Sequence, residues 1–492
     1  MTTSNSPRRI AIIGGGITGL SAALRLSDIA RERGLAIEVT LLENSDRLGG
    51  VLRTERIGEY LVEHAADMWI TNKPEGVRLC ERLGLAERLI PTDTEFRRSF
   101  VLRNGIPHVV PEGFQLMVPE QAWPLLRSPL LSWRGKLRML AEYFVPARRD
   151  GADESLADFV CRRFGREAFE RLVQPLVGGI YTADPEKLSL KATLPRFIDM
   201  ERTQGSLIRA AIAERRHRQT QETGTSGARY GLFVSLPNGI QELMTALIEQ
   251  VKTYATIQLQ TAVQSVRRDE LGRFVVTSES VSSSTSGETL REEFDAVVLA
   301  VPAYVASRLL CDDQLRDDQQ LLADELSRIE YASTAVIASG HKLADIRHPL
   351  NAFGMVIPHI ERRKVLAVSF TSRKFPGRAP DGHVLLRTFV GGALQSELNG
   401  LDDSGILDIV REELTEILGV RWNPDFAVVL RHTRAMPQYH VGHLEVVARI
   451  EARQSACRGL ALAGSYLRGV GIPDSIGSGE SAAEKVLSQR VE

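Results

Sequence analysis

The sequence predicts an α/β protein built on a Rossmann-type sheet, with a mixed α+β region beside it. Two stretches predict the Rossmann part, because each joins an apolar strand, a glycine-rich turn and a helical pattern: residues 10–26 and residues 459–487. Apolar runs at 37–42 and 294–302 supply two further buried strands. Since these segments lie far apart in the chain, the Rossmann-type domain is expected to be discontinuous in sequence.

The turn after the first strand has the spacing G-x-G-x-x-G, at Gly14, Gly16 and Gly19. Gly14 allows the tight turn, Gly16 lets the backbone approach a pyrophosphate, and Gly19 lets the helix pack closely on the sheet. The phosphates would face the helix N-terminus, where free N–H groups and the helix dipole favour negative charge. Glu43 ends the second strand and would accept hydrogen bonds from ribose hydroxyls. The pattern predicts a dinucleotide site, and a purely structural glycine turn is the alternative.

Composition narrows the class of protein. The 492 residues are 43% hydrophobic, which is enough for two or three domains with full cores. The net charge of −1 gives no indication of a nucleic-acid partner. The four scattered cysteines form no C-x-x-C pair, which favours a reducing compartment without a disulfide framework. With no apolar targeting segment at the N-terminus, we expect a cytoplasmic protein, at most peripheral on a membrane.

A second glycine turn, Arg47 to Gly50, follows Glu43 where the chain would pass a bound cofactor again. A third glycine-rich turn covers residues 464–476, and a helix is predicted from Gly479 to Leu487. A nicotinamide cofactor would not require the second turn, whereas an extended FAD would contact all three glycine turns. The pattern therefore favours FAD.

The remaining segments are predicted in chain order. A hairpin is expected around Asn104-Gly105, and Gly178 and Gly179 are expected to end a helical run. A loop is predicted at 215–229 and a hairpin tip at 278–289. The other predicted elements are helical patterns at 73–89 and 156–177 and strands at 261–268 and 273–277.

Three further segments carry a family resemblance. Residues 178–189 are similar to G-[VI]-[YF]-x-x-[DN]-x-x-x-L-S, residues 437–443 to P-Q-Y-x-x-G-H, and residues 464–476 to G-x-x-x-x-G-V-G-I-P-D-x-I. With the first glycine turns, they make nearly the whole chain resemble the FAD-dependent coproporphyrinogen III and protoporphyrinogen IX oxidases of haem biosynthesis. These enzymes belong to the amine-oxidase and phytoene-desaturase flavoprotein superfamily.

The resemblance implies FAD as cofactor and a set of residues lining it. Val263 would meet the adenine through its backbone, and Ser465 would lie beside the isoalloxazine. Relatives often carry Gly-Pro where this chain has Ala65-Ala66, so the geometry of this turn is expected to depart from that of the family. The full cofactor set is Gly14, Gly15, Gly16, Ile17, Thr18, Gly19, Glu43, Asn44, Gly50, Val51, Ala65, Ala66, Asp67, Met68, Val263, Ser465, Val470, Gly471 and Ile472.

The same resemblance, with the order of elements, predicts three regions. The FAD-binding domain is expected to comprise residues 1–75, 228–302 and 440–492. A mixed-sheet substrate-binding domain is expected at 303–439 with part of 200–227. A mostly helical insertion, 76–200, would cover the active site.

The implied activity is the oxygen-dependent, six-electron oxidation of a porphyrinogen by three flavin-mediated hydride transfers with release of H₂O₂. Coproporphyrinogen III is the expected substrate, and protoporphyrinogen IX is the alternative. A superfamily amine oxidase or carotenoid desaturase, and a non-catalytic binding protein like the Rab GDP-dissociation inhibitors, are further alternatives. No catalytic side chain is assigned, because flavin N5 does the chemistry. The product would pass to a chelatase or the next haem-pathway enzyme.

Substrate propionates need cationic partners, and an arginine fork suits a carboxylate. Arg98 is the first candidate and Lys73 the second, with solvated surface charges as the alternative. Tyr181 would meet the macrocycle or serve only in packing. His440 and His443 have H-x-x-H spacing, but with no helical pattern and no accompanying ligand set, no metal is expected.

Residues 123–138 interleave tryptophan and leucine with basic residues. This pattern is typical of a surface that contacts anionic lipid. The alternative is an ordinary helix-capping loop with buried leucines and exposed arginines.

Overall fold

A computed structural model describes residues 6–221, 232–281, 289–311 and 318–488. The strands are β1 (Arg8–Ile13), β2 (Ile37–Leu42), β3 (Thr54–Ile57), β4 (Tyr60–Glu63), β5 (Trp69–Ile70), β6 (Ile90–Pro91), β7 (Ser99–Arg103), β8 (Ile106–Val109), β9 (Phe114–Gln115), β10 (Val118–Pro119), β11 (Phe233–Ser235), β12 (Ala255–Gln258), β13 (Thr261–Arg268), β14 (Phe274–Ser280), β15 (Thr289–Phe294), β16 (Ala296–Leu299), β17 (Tyr331–Lys342), β18 (Gly354–Val356), β19 (Ala367–Phe370), β20 (His383–Gly391), β21 (Phe426–Pro437) and β22 (Leu460–Leu462).

The α-helices are α1 (Ile17–Arg33), α2 (Glu75–Arg82), α3 (Ala122–Arg127), α4 (Trp133–Leu140), α5 (Leu156–Phe164), α6 (Arg166–Ala168), α7 (Gln174–Tyr181), α8 (Leu190–Thr193), α9 (Pro195–Gln204), α10 (Leu207–Gln221), α11 (Ile240–Lys252), α12 (Ala303–Leu310), α13 (Asp318–Ser327), α14 (Thr371–Lys374), α15 (Asp403–Leu418), α16 (His443–Ala456) and α17 (Ile472–Ser488).

The central sheet has five parallel strands in the order β12-β2-β1-β16-β22. In its register, Ile12 lies between Leu41 and Val298, and all three are buried. Both faces are covered, because α1, α11 and α17 share one apolar core and α12, α13 and α16 share the other. Parallel strands buried on both faces require the nearly continuous apolar runs seen in the sequence. The predicted Rossmann-type α/β fold is confirmed.

A mixed sheet of seven strands, ordered β21-β17-β20-β19-β18-β7-β8, forms the second large element. All its pairs are antiparallel except β18 with β7. The hairpin predicted around Asn104-Gly105 is confirmed, because both residues have positive φ, as a tight two-residue turn requires. This hairpin belongs to the mixed sheet, which differs from its expected place in the helical insertion at 76–200.

A helical layer, α3 to α10, has a core of its own that includes Phe159, Phe164 and Leu172. Two predictions in this layer are wrong. Gly178 and Gly179 lie inside α7, which continues to Tyr181 and ends at Thr182 with φ of 47°. Residues 215–221 are helical and extend α10, whereas the rest of the predicted loop lies outside the described residues. In α7, the helix forms despite the poor helix preference of its two glycines.

Two boundaries near the chain end also differ from prediction. The last helix begins at Ile472 instead of Gly479, with Pro473 in its first turn, where the missing N–H costs nothing. His443 begins α16, so the chain is helical from His443 onward, contrary to expectation. β14 and β15 confirm the hairpin around 278–289, but its tip at 282–288 lies outside the described residues. No helix in the described part of the chain is long and apolar enough to cross a membrane.

Candidate functional site

The first glycine turn is tightly packed at two of its three glycines. Gly14 has φ of 105°, and a Cβ there would lie 2.4 Å from the Ala300 carbonyl oxygen. A Cβ on Gly19 would lie 2.0 Å from the carbonyl oxygen of Gly14. Both contacts exclude any larger residue. The first places the turn against the end of β16, and the second places the start of α1 against the end of β1.

Gly16 differs, because no protein atom crowds the position that its side chain would occupy. The nearest atom to a Cβ built on Gly16 is the Gly50 Cα at 3.9 Å. Gly16 precedes α1, and the N–H groups of Ile17, Thr18 and Gly19 have no acceptor within the helix. Open space beside free N–H donors at a helix N-terminus is what a pyrophosphate requires. These residues therefore fit the dinucleotide predicted from the spacing.

The second glycine turn lies directly against the first. Gly49 N–H donates to the Gly15 carbonyl oxygen at 2.8 Å, and Gly16 and Gly49 form a parallel bridge. The Arg47 guanidinium donates to the carbonyl oxygens of Leu48 and Gly50, which fixes the turn. The apolar side chain of Val51 follows and is 57% exposed. The two turns predicted to meet one cofactor are thus adjacent in space.

Glu43 joins this cluster through both carboxylate oxygens. Oε2 accepts from Gly15 N–H at 2.6 Å, and Oε1 accepts from the backbone and hydroxyl of Ser45 at 2.8 Å each. Thr261 N–H donates to the Glu43 carbonyl oxygen, so β13 begins beside it and carries Val263 nearby. Asn44 lies exposed between them. The residues predicted for the adenosine end therefore form one group.

The closing turn at 464–471 is held by two residues of the P-Q-Y-x-x-G-H segment. Tyr439 donates its hydroxyl hydrogen bond to the Ser465 carbonyl oxygen, and His443 Nε2 lies 3.2 Å from the Leu467 carbonyl oxygen. The two rings stack with centroids 4.0 Å apart. Burial raises the pKa of Tyr439 and lowers the pKa of His443, so both remain neutral donors near pH 7. Among the described residues, no group of three or more His, Cys, Asp or Glu is placed to hold a metal ion.

The three segments that carry the family resemblance meet in the structure. Ser189 N–H donates to the Tyr439 carbonyl oxygen at 2.7 Å, and Val441 N–H donates to the Lys187 carbonyl oxygen at 2.8 Å. Tyr439 in turn contacts the closing turn at Ser465. Two backbone hydrogen bonds and the Tyr439 hydroxyl thus connect the helical layer to the turn predicted beside the isoalloxazine, a connection that the sequence did not reveal.

The turn at residues 65–68 carries a buried ion pair that sequence reasoning missed. The Asp67 carboxylate accepts from Lys374 Nζ at 2.6 Å, and an Arg387 nitrogen lies 3.5 Å away. Burial alone would raise the pKa of Asp67, but the two cations outweigh it and lower the pKa to about 2. Nothing in local spacing connects residue 67 to residues more than 300 positions later.

The three predicted substrate residues have different surroundings. Lys73 Nζ lies 2.5 Å from Asp474 Oδ1, so its charge is already paired. The Tyr181 hydroxyl donates to the Thr193 carbonyl oxygen at 3.2 Å, and burial together with Asp474 raises the pKa of Tyr181 to about 12. Arg98 is exposed ahead of β7. Lys73 and Tyr181 are therefore brought near one carboxylate, whereas Arg98 directly precedes a strand of the mixed sheet.

A narrow cleft of about 20 Å³ separates α7 from the mixed sheet, and its lining is mainly apolar. The sequence did not predict it. Its walls include Gly178, Gly179, Thr182, Ile357, Leu366 and Gly391. Because Gly178 and Gly179 have no side chains, the backbone of α7 lines the cleft directly.

Comparison with known proteins defines the class. The chain matches the family of flavin containing amine oxidoreductases over residues 17–487, and it belongs to that family. It is a flavin-dependent oxidoreductase, and FAD is its cofactor.

Individual relatives carry more specific names than the family does. The chain is 31% identical over 486 residues to "Coproporphyrinogen III oxidase" of Bacillus subtilis (strain 168), covering 99% of both chains. It is 29% identical over 499 residues to "Protoporphyrinogen oxidase 2, chloroplastic/mitochondrial" of Arabidopsis thaliana, covering 98% of this chain and 94% of the relative. The crystal structure of "Putative protoporphyrinogen oxidase" from Exiguobacterium sp. 255-15 superposes with a TM-score of 0.84 at 27% identity, covering 99% of this chain and 100% of that one. The resemblance noted in the sequence is confirmed.

Proposed function

We propose that this chain oxidises coproporphyrinogen III to coproporphyrin III with molecular oxygen. The macrocycle loses six electrons and six protons, so three O₂ are reduced to three H₂O₂ for each porphyrin formed. One observation carries the proposal: the 178–189 segment, which carries part of the family resemblance, is hydrogen-bonded at Ser189 to Tyr439, and Tyr439 holds the closing turn. Full-length similarity to coproporphyrinogen III oxidases supports this substrate class.

The side chains of this protein bind, orient and exclude water, while bound FAD supplies the two-electron acceptor. Gly14 to Gly19 and Gly50 would hold the pyrophosphate, and Glu43 would hold the ribose. Ser465 and residues 470–472 would line the isoalloxazine. Tyr439 holds the backbone of this turn at Ser465, and His443 holds it at Leu467. No side chain is assigned as acid or base.

Direct assay separates the substrate alternatives. Purified enzyme is given coproporphyrinogen III or protoporphyrinogen IX, and porphyrin fluorescence, O₂ consumption and H₂O₂ are followed. We expect turnover of coproporphyrinogen III with three O₂ per porphyrin. Turnover of protoporphyrinogen IX alone would move the assignment to the vinyl-bearing substrate. If the purified protein is yellow but oxidises neither substrate, a superfamily amine oxidase or carotenoid desaturase is favoured. A colourless protein would favour a non-catalytic binding protein.

Arg98 is proposed to bind a substrate propionate. Arg98→Ala is expected to raise KM for coproporphyrinogen III about tenfold, corresponding to ~1.4 kcal/mol for one charge-assisted contact, with kcat unchanged. The neighbouring Arg97→Ala is the matched control, since Arg97 is also exposed. Equal KM values for the two variants would remove Arg98 from the site. Lys73→Ala is expected to have a smaller effect on KM, because Asp474 already pairs with its charge.

We also propose that a surface of the helical layer rests on anionic lipid. This lipid-facing surface consists of Trp123, Trp133, Leu137 and Phe144, whose exposed fractions lie between 61% and 80%. The Arg127 guanidinium stacks over Trp123 at 4.6 Å, adding positive charge to the patch. Leu125, Leu130 and Leu131 are buried, as the alternative interpretation expects, but the tryptophans are not. Exposed aromatic rings beside cations are typical of an interfacial surface.

Flotation with phosphatidylglycerol vesicles tests this surface. We expect the protein to float at low salt and to be released at high salt, because the electrostatic part is screened. Trp133→Ser with Phe144→Ser should abolish flotation. Leu271→Ser is the control, since Leu271 is 75% exposed in the β13–β14 turn. A wild-type protein that does not float at low salt would contradict the proposal.

A further inference from the structure

The turn at residues 64–67 is held by side chains from the mixed sheet. The His64 carbonyl oxygen accepts from His432 Nε2 at 2.9 Å. The next carbonyl oxygen, of Ala65, accepts from the Arg387 guanidinium. These donors lie on β21 and β20, more than 300 residues later in the chain. Two consecutive backbone carbonyls are thus fixed from outside the segment.

The Asp67 end of the turn is fixed in the same way. Its carboxylate lies against Lys374 and Arg387, and its carbonyl oxygen accepts from the Ser235 hydroxyl at 2.8 Å. Asp67, Lys374 and Arg387 are only 7%, 6% and 2% exposed. Breaking such a buried pair is costly, because the remaining partner is left without solvent or counter-charge. Arg378 supports Ser235 from behind at 3.1 Å.

Positive charge exceeds negative charge in this buried group. Lys374 and Arg387 share one carboxylate, that of Asp67. Glu63 is the nearby second acid, and burial raises its pKa to about 7, so it is only partly ionised at neutral pH. Arg378 adds a third cation close to Glu63 and Asp67.

The sequence of the turn gives it little stiffness of its own. Ala65-Ala66 lacks the fixed φ that a proline would impose. We propose that Arg387 and Lys374 are positioning residues that hold this turn in the shape FAD requires and place excess positive charge behind it. The proposal rests on the placement of the flavin beside residues 65–68. Positive charge near the cofactor favours electron uptake, so the cations should raise both FAD affinity and the flavin reduction potential.

Arg387→Met tests the proposal, because methionine fills space but donates no hydrogen bond. The dissociation constant of FAD, measured by flavin fluorescence with apoprotein, is expected to rise about tenfold, because the turn loses its charge-assisted hydrogen bond at Ala65. The midpoint potential, measured by spectroelectrochemistry, is expected to fall. Arg431→Met is the control, since Arg431 pairs with Asp403 at the surface and does not contact the turn.

Adding Ala66→Pro to Arg387→Met separates the two effects. Proline restricts the free turn, so FAD affinity should recover in part, while the potential should stay low because the charge is still missing. If Arg387→Met fails to fold, Lys374→Met provides the same measurements with Arg387 still paired to Asp67. Unchanged FAD affinity and potential, with only a lower thermal midpoint of the apoprotein, would overturn the proposal. These measurements use no porphyrinogen, so their outcome does not depend on whether the proposed reaction is correct.

Discussion

Gly16→Ala is expected to abolish useful FAD binding while leaving the apoprotein as stable as the wild type. A methyl group on Gly16 meets no protein atom closer than 3.9 Å, and φ of −73° suits any residue. The same methyl would stand at the N-terminus of α1, where the pyrophosphate needs close approach to the backbone. We expect an affinity loss of about 100-fold or more, or ~2.7 kcal/mol. Fluorescence titration of FAD and the thermal midpoint of the apoprotein measure the two quantities.

Gly19→Ala provides the contrast. Its Cβ would lie 2.0 Å from the Gly14 carbonyl oxygen, so α1 must shift away from β1. Both FAD affinity and apoprotein stability should fall, with about 1–3 kcal/mol lost to overpacking. Gly400→Ala is the control, because no atom lies within 4 Å of its added Cβ. Wild-type FAD affinity in Gly16→Ala would show that the pyrophosphate does not approach this turn.

Elements with a strong local pattern were predictable from sequence. The apolar runs at 10–13, 37–42 and 296–299 form the adjacent strands of the central sheet, because burial on both faces demands that composition. Asn104-Gly105 has the residues that a tight hairpin turn needs. In these elements, local preference and tertiary packing favour the same structure.

Helices that contain glycine were the elements that local sequence predicted least well. A Cβ on Gly479 would lie 2.1 Å from the Thr18 carbonyl oxygen, so α17 contains glycine where it crosses α1. Sequence reasoning interpreted the glycines of α7 as helix breakers, yet the helix continues through both. Glycine costs about 1 kcal/mol in a helix, and close packing offsets that cost. The sequence alone does not show which glycines face a neighbouring helix.

The residues of the candidate site also differ in whether local sequence could predict them. The glycine turns and Glu43 could be found because their roles depend on spacing within about 40 residues of sequence. Lys374 and Arg387 could not, because their partners lie about 300 residues away and no repeating pattern links them. The contact between Tyr439 and Ser465 is nearer in sequence, but only the fold shows that one segment supports the other.

The helical layer depends on a fully buried charge cluster formed by Glu142 and Arg163, both 0% exposed. The Glu142 carboxylate accepts from Arg163, from the Ser206 hydroxyl and from the N–H groups at the start of α10. Arg163 also donates to the Gly205 carbonyl oxygen and to Glu201. These contacts tie α5 to the connection between α9 and α10. The layer also contains α7, one wall of the apolar cleft.

Arg163→Met is therefore expected to destabilise the helical layer by about 3–5 kcal/mol, because Glu142 is left buried without a counter-charge. Adding Glu142→Gln should recover part of this loss, since the remaining amide is neutral and still accepts from Ser206 and α10. Arg166→Ala is the control three residues later: its ion pair with Glu186 is exposed, so it should change stability by about 0–1 kcal/mol. Limited proteolysis and hydrogen exchange across residues 141–208 measure local opening, and porphyrinogen turnover should fall with it. Equal protection in Arg163→Met and Arg166→Ala would mean that the cluster does not stabilise the layer, and that the α7 wall is held by its apolar core alone.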